Sequence, residues 1–143
     1  MIIRVACVCI KNDKLLVVEQ GIGERAWSLP GGKVEEKERL HEALTREVRE
    51  ETGLHVTPGK LLYVGERVRG NDILLHITFL AEYKAGKVGE NTNLNANEQI
   101  KSTTFMPISD LEKNGWSADF VDRIRTGFID GGKYVHNIED IGL

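Results

Sequence analysis

At 143 residues the chain is most simply one domain, residues 1–143, and is long enough to bury a proper core. Its 41% hydrophobic and 29% charged residues are those of an ordinary globular protein. No run of about 18 apolar residues is present, so no membrane-spanning helix is expected. The formal net charge of −3 lacks the basic excess that binding a nucleic-acid polymer calls for.

The chain opens on a β-branched apolar run, Ile2 to Ile10, with a second from Lys14 to Glu19. Lys11-Asn12-Asp13 between them reads as a hairpin turn. No small-residue cleavage site follows this start, and a cytoplasmic protein is expected. Cys7 and Cys9 sit two apart on one strand face, too far to bridge easily, so they read as reduced core thiols. Residues 20–25 read as a loop, and Pro30-Gly31-Gly32 punctuates the chain before a helix expected over Glu38 to Thr52. Gly53 is a suitable residue to end that helix. Lys60 to Glu66 and Asp72 to Tyr83 read as strands with a hairpin loop at residues 68–72. The polar stretch from Lys84 to Gln99 reads as a long loop, mobile or functional. Thr103 to Met106 is a short strand. Ser117 reads as the N-cap of a helix to about Thr126, with Phe120, Val121 and Ile124 inward. The tail from Gly127 shows little periodicity. Strands on both sides of one central helix, with a second helix late, predict an α/β layered domain with a mixed sheet.

The central helix carries the chemistry. At about 100° per residue, Glu47, Glu50 and Glu51 share one side with Leu40, Ala43 and Leu44. Like charges one turn apart repel, and the last turn of a helix already carries negative dipole charge. Carboxylates turned inward must bind protons or hold a cation. Their hard oxygens suit Mg²⁺ or Mn²⁺.

The wider spacing is more specific. Gly32, five residues, Glu38, seven residues, then Arg46-Glu47-Val48-x-Glu50-Glu51-x-Gly53-Leu54 resembles the Nudix box at all nine defined positions over 23 residues. The preceding Trp27-Ser28-Leu29-Pro30-Gly31 is similar to the family's lead-in. The resemblance implies an α/β/α sandwich that hydrolyses nucleoside diphosphates linked to another moiety, with Mg²⁺ or Mn²⁺ as cofactor. It implies metal ligands at the Gly31 carbonyl, Glu47, Glu50 and Glu51, with Arg46 orienting Glu50. It also implies one further carboxylate from the long polar loop, where Glu98 is preferred over Glu90. Either Glu47 or Glu98 would be the general base. Glu38 would support the loop or reach the metal through water.

Arg25, Arg67 and Arg69 could meet phosphates or a ribose, and Trp27, Tyr83 or Tyr134 could stack on a base. Arg25, Trp27 and Arg67 are the substrate-binding candidates. The four histidines show no ligand spacing and are assigned no chemistry. The expected partner is a small-molecule nucleotide, and a homodimer is possible. The competing reading is a module that senses a nucleotide without cutting it, but that would show eroded acidic positions, and here all are present.

Overall fold

The computed structural model describes residues 1–20, 26–88, 100–129 and 131–143. Strand β1 (Ile2–Lys11) turns through Asn12 and Asp13, at φ 52° and 58°, into β2 (Lys14–Gln20). Both turn residues take the left-handed conformation that short polar side chains tolerate and that a two-residue hairpin needs. After β3 (Trp27–Ser28) and β4 (Gly31–Lys33) comes helix α1 (Leu40–Thr52). The strands β5 (His55–Arg69), β6 (Asp72–Ala85) and β7 (Ile100–Pro107) follow, then helix α2 (Ala118–Arg125) and β8 (Lys133–Asn137). Short 3-10 turns occupy Ile108–Asp110, Glu112–Asn114 and Ile138–Ile141.

The strands run β3-β2-β1-β6-β5-β8, with β4 also paired to β1 and β7 to β2. The β1–β6 and β5–β8 pairs are parallel and the others antiparallel, so the sheet is mixed. Period-two alternation sends the side chains of β1 to opposite faces. Val5, Cys7 and Cys9 enter one core with Ala43, Leu44 and Val48 of α1. Val8 enters the other with Phe120, Val121 and Ile124 of α2. A helix on each face of a mixed sheet is the expected α/β/α sandwich. Both cysteines are buried free thiols, and burial pushes their pKa values up, that of Cys9 to about 11.

Several expectations shift: β6 runs on to Ala85 and β7 begins at Ile100, and three further changes have a plain cause. Helix α1 begins at Leu40 rather than Glu38, because Glu38 is engaged in the loop before it: its Oε1 accepts from the Glu35 N–H at 3.0 Å. Strand β5 starts five residues early, running through Pro58, where its register against β6 shifts. The tail supplies β8, whose parallel pairing with β5 left no signature in local periodicity. Gly53 ends α1 in the left-handed conformation at φ 82°, and the Ser117 hydroxyl accepts from the Phe120 N–H at 3.1 Å, both as expected.

Candidate active site

The acidic side of α1 is organised around Arg46. Its Nε donates to Glu38 Oε2 at 2.7 Å and its NH2 to Glu38 Oε1 at 2.9 Å, a two-pronged pair. Its NH1 donates to Glu47 Oε1 at 2.9 Å and Glu50 Oε2 at 3.3 Å, while NH2 also reaches the Lys33 carbonyl at 3.2 Å. Glu35 stands 3.8 Å away. The guanidinium holds Glu38 below the usual carboxylate range, and Glu38 in turn raises the pKa of Arg46. Glu38 therefore ties the loop to the helix, and Arg46 pairs one turn ahead with Glu50, as expected.

The glycines before the helix let the carboxylates close in. Gly32 faces α1, and a Cβ built there would fall 2.4 Å from Glu47 Cδ, so the Glu47 carboxyl fills the space a side chain would take. The Gly31 N–H donates to Glu51 Oε2 at 3.2 Å. A Cβ at Gly31 would lie 2.0 Å from the Val5 carbonyl oxygen, which is why only glycine lets β4 approach β1 here. Two carboxylates, at 3% and 4% exposure, thus rest on adjacent peptide units. Thr103 Oγ1 donates to the Glu51 carbonyl at 3.1 Å and ties β7 to the end of the helix.

One guanidinium among four carboxylates leaves an excess of negative charge, and an all-oxygen donor set suits a hard divalent cation. The residues present therefore fit Mg²⁺ or Mn²⁺ in chemistry. Among the described residues, no three acidic, histidine or cysteine side chains are already gathered for a metal, since Glu47 and Glu50 each turn an oxygen to Arg46.

On the α2 face of the sheet, a cavity of about 940 Å³ opens beside Gly31. Arg4 and Ala6 of β1, His76 and Thr78 of β6, and Tyr63 and Arg67 of β5 form its floor. Ser28, Asn114, Glu139 and Leu143 are among its walls. Arg67, a substrate-binding candidate, donates to Glu139 at 3.0 Å and to the Leu143 carbonyl at 3.2 Å. Trp27 does not line the cavity; it packs half-buried against the core on the α2 side. Tyr83 donates to the Gly86 carbonyl beneath Lys11, and Tyr134 is exposed and bonded to Glu66. Arg69 is exposed at the β5–β6 hairpin. Arg25, Glu90 and Glu98 lie outside the described residues. Arg4, His76 and Glu139 line the cavity without any motif to single them out; alternation along known strand pairs could have found Arg4 and His76, but not Glu139, which lies in a 3-10 turn.

His76 is half-buried, and burial, with Arg4 and Arg67 nearby, lowers its pKa to about 4 from an ordinary 6.5. It is therefore neutral in the folded protein at pH 7. Between pH 6.5 and 4 the unfolded chain takes up a proton that the folded chain refuses, so stability falls as pH drops through that window. Each tenfold change in proton affinity is worth roughly 1.4 kcal/mol. Solvent reaching the half-buried ring screens the effect, so the loss is on the order of 1–2 kcal/mol. Urea unfolding across this range is expected to show that slope in the wild type and a shallower one in His76→Gln.

A sequence model described as NUDIX domain matches residues 1–124. The human 8-oxo-dGDP phosphatase NUDT18 is 44% identical over 59 residues, covering 40% of this chain and 18% of that protein. Phosphatase NudJ of Escherichia coli strain K12 is 46% identical over 57 residues, covering 39% of this chain and 37% of that protein. The match therefore spans less than two fifths of either relative. The fold is shared with a MutT protein of Bacillus halodurans at TM-score 0.69 and 18% identity, covering 99% of this chain and 93% of that one. It is also shared with an ADP-ribose pyrophosphatase of Streptococcus suis at TM-score 0.66 and 19% identity, covering 95% and 97%.

Proposed function

The chain belongs to the Nudix family, and on that premise we propose that it is a metal-dependent pyrophosphohydrolase acting on a nucleoside diphosphate linked to another moiety. The observation that carries this reading is the pair of buried carboxylates, Glu47 and Glu51, seated on Gly31-Gly32, where Gly31 also lines the large cavity. Burying two like charges on one helix face costs stability unless a cation is the intended occupant. Glu47, Glu50, Glu51 and the Gly31 carbonyl would hold Mg²⁺ or Mn²⁺, which supplies neutralisation of the diphosphate and activation of water when bound.

The chain's own groups do the rest. Arg46 fixes Glu47 and Glu50 in orientation and, through Glu38, locks the preceding loop to the helix. Either Glu47 or Glu98 would accept the proton of the attacking water. The cavity beside Gly31 receives the moiety beyond the diphosphate and shields it from solvent. Attack at one phosphorus releases a nucleoside monophosphate and a second phosphorylated product. Residues 1–143 act as one domain, because the tail supplies β8 to the sheet and Glu139 to the cavity.

Gly32→Ala is expected to push the Glu47 carboxyl from its seat. Stability should fall by about 1–3 kcal/mol, the usual cost of an inserted methyl in a packed site, and turnover should fall with it. Unfolding curves read beside initial rates check both. The proposal itself is tested on a panel of sugar nucleotides, dinucleoside polyphosphates, ADP-ribose and nucleoside triphosphates with Mg²⁺ or Mn²⁺. Monophosphate release from at least one class is expected. A nucleotide that binds yet is recovered intact from every incubation would turn the reading to a sensing module.

A further inference from the structure

The strand registers place basic residues side by side on one face of the sheet, and of these Arg4, His76 and Arg67 line the cavity while Lys33 is exposed beside it. Lys33 of β4 lies directly across from Arg4 of β1, and Arg4 directly across from His76 of β6. Opposed residues of a ladder present their side chains on the same face, and like charges so placed are destabilising. Arg67 of β5, one strand further and paired with Leu74, closes the same floor. Among the described residues no carboxylate pairs with Arg4, and Glu139, the one acid lining the cavity, is taken up by Arg67. The Ser28 hydroxyl and His76 Nε2 are buried beside them with no hydrogen-bond partner among the described residues. Buried polar groups left in this state call for a partner. The low pKa of His76 agrees, because burial is joined there by the positive field of Arg4 and Arg67.

We propose that the row Lys33–Arg4–His76, with Arg67, reads a second phosphate, a monoester carried by the substrate away from its scissile diphosphate. This rests on the hydrolase reading for the scissile end. An arginine without a carboxylate partner matches phosphate geometry, and neutral His76 adds a hydrogen bond without adding charge. Among the described residues the cavity walls offer no free aromatic face for a base: Tyr63 is buried and stacked on Phe128 at 6.0 Å, and Trp27 does not line the cavity. From β4, which carries Gly31, Arg4 is one strand spacing away and His76 two, about 5 to 10 Å at roughly 4.8 Å each. That is about the reach from a diphosphate across a ribose to a phosphate on one of its ring hydroxyls. The preferred substrates are therefore nucleoside diphosphate derivatives that carry an extra phosphomonoester.

The test is calorimetric titration of the full chain, in chelator, with adenosine 2′,5′-bisphosphate and with adenosine 5′-monophosphate. The bisphosphate is expected to bind at least about tenfold tighter, the scale of one well-placed charged contact. Arg4→Gln should reduce the two affinities to within about twofold of each other, and Arg4→Lys should keep part of the preference. Should Arg4→Gln fail to fold, Lys33→Gln, at an exposed position, should still lower the preference by about threefold. Equal affinity for the two nucleotides in the wild type, or a preference that survives both Arg4→Gln and Lys33→Gln, overturns the proposal. The titration needs neither metal nor a scissile anhydride, so its failure leaves the hydrolase reading intact, and failure of the panel assay leaves the titration result standing.

Discussion

Glu51→Gln is expected to lower turnover by at least about 10²-fold, the scale of losing positioned electrostatic or acid–base help. Its fold should survive in chelator. The carboxylate is almost fully buried and accepts the Gly31 N–H, and the amide oxygen of glutamine can accept the same bond. The substitution removes one of two like charges on a single helix face, so apo stability should stay level or rise. A charge serving only to hold β4 would give the opposite pattern, with stability lost and the rate nearly kept. Initial rates measured beside urea unfolding in chelator separate the two.

Arg46→Met should be the most destabilising single change in the cluster. The methionine keeps much of the aliphatic stem but leaves Glu38, Glu47 and Glu50 facing one another without their shared cation. Removing one partner of a buried ion pair costs about 3–5 kcal/mol, because the remaining charge stays buried and uncompensated. Glu47 meets that condition, whereas partly exposed Glu50 contributes little. Added Mg²⁺ should recover part of the loss by binding the folded state alone. Unfolding midpoints with chelator and with excess Mg²⁺ check both arms; an unchanged midpoint in chelator would show that Arg46 is dispensable to the cluster.

What the sequence revealed depended on how local the signal was. Helix α1, its stop at Gly53 and the inward turn of Glu47 and Glu51 follow from spacing within a few turns, whereas Glu50, expected on the same inward side, turns to Arg46 and stays partly exposed. The cavity was not legible in this way. Arg4, His76, Arg67 and Glu139 come from β1, β6, β5 and the last 3-10 turn, and only the long-range pairing of strands, parallel at β1–β6 and β5–β8 and antiparallel at β5–β6, brings them together. Trp27, a stacking candidate, packs half-buried against the core and does not line the cavity, since an aromatic beside a glycine-rich turn suits a core as well as a ligand. The role of Arg46 as the hub of four carboxylates was half visible: the i, i+4 partner Glu50 could be read from the helix, but Glu35 and Glu38 reach it only through the fold of the preceding loop.

The central claim is that the acidic face of α1 holds a divalent cation. Titration of Mn²⁺ followed by electron paramagnetic resonance tests it most directly, because the signal of the free ion is lost on binding. Wild-type protein should deplete that signal, and Glu51→Gln at equal concentration should deplete it much less. If the two proteins deplete it equally, or neither does, then Glu47 and Glu51 do not hold the metal.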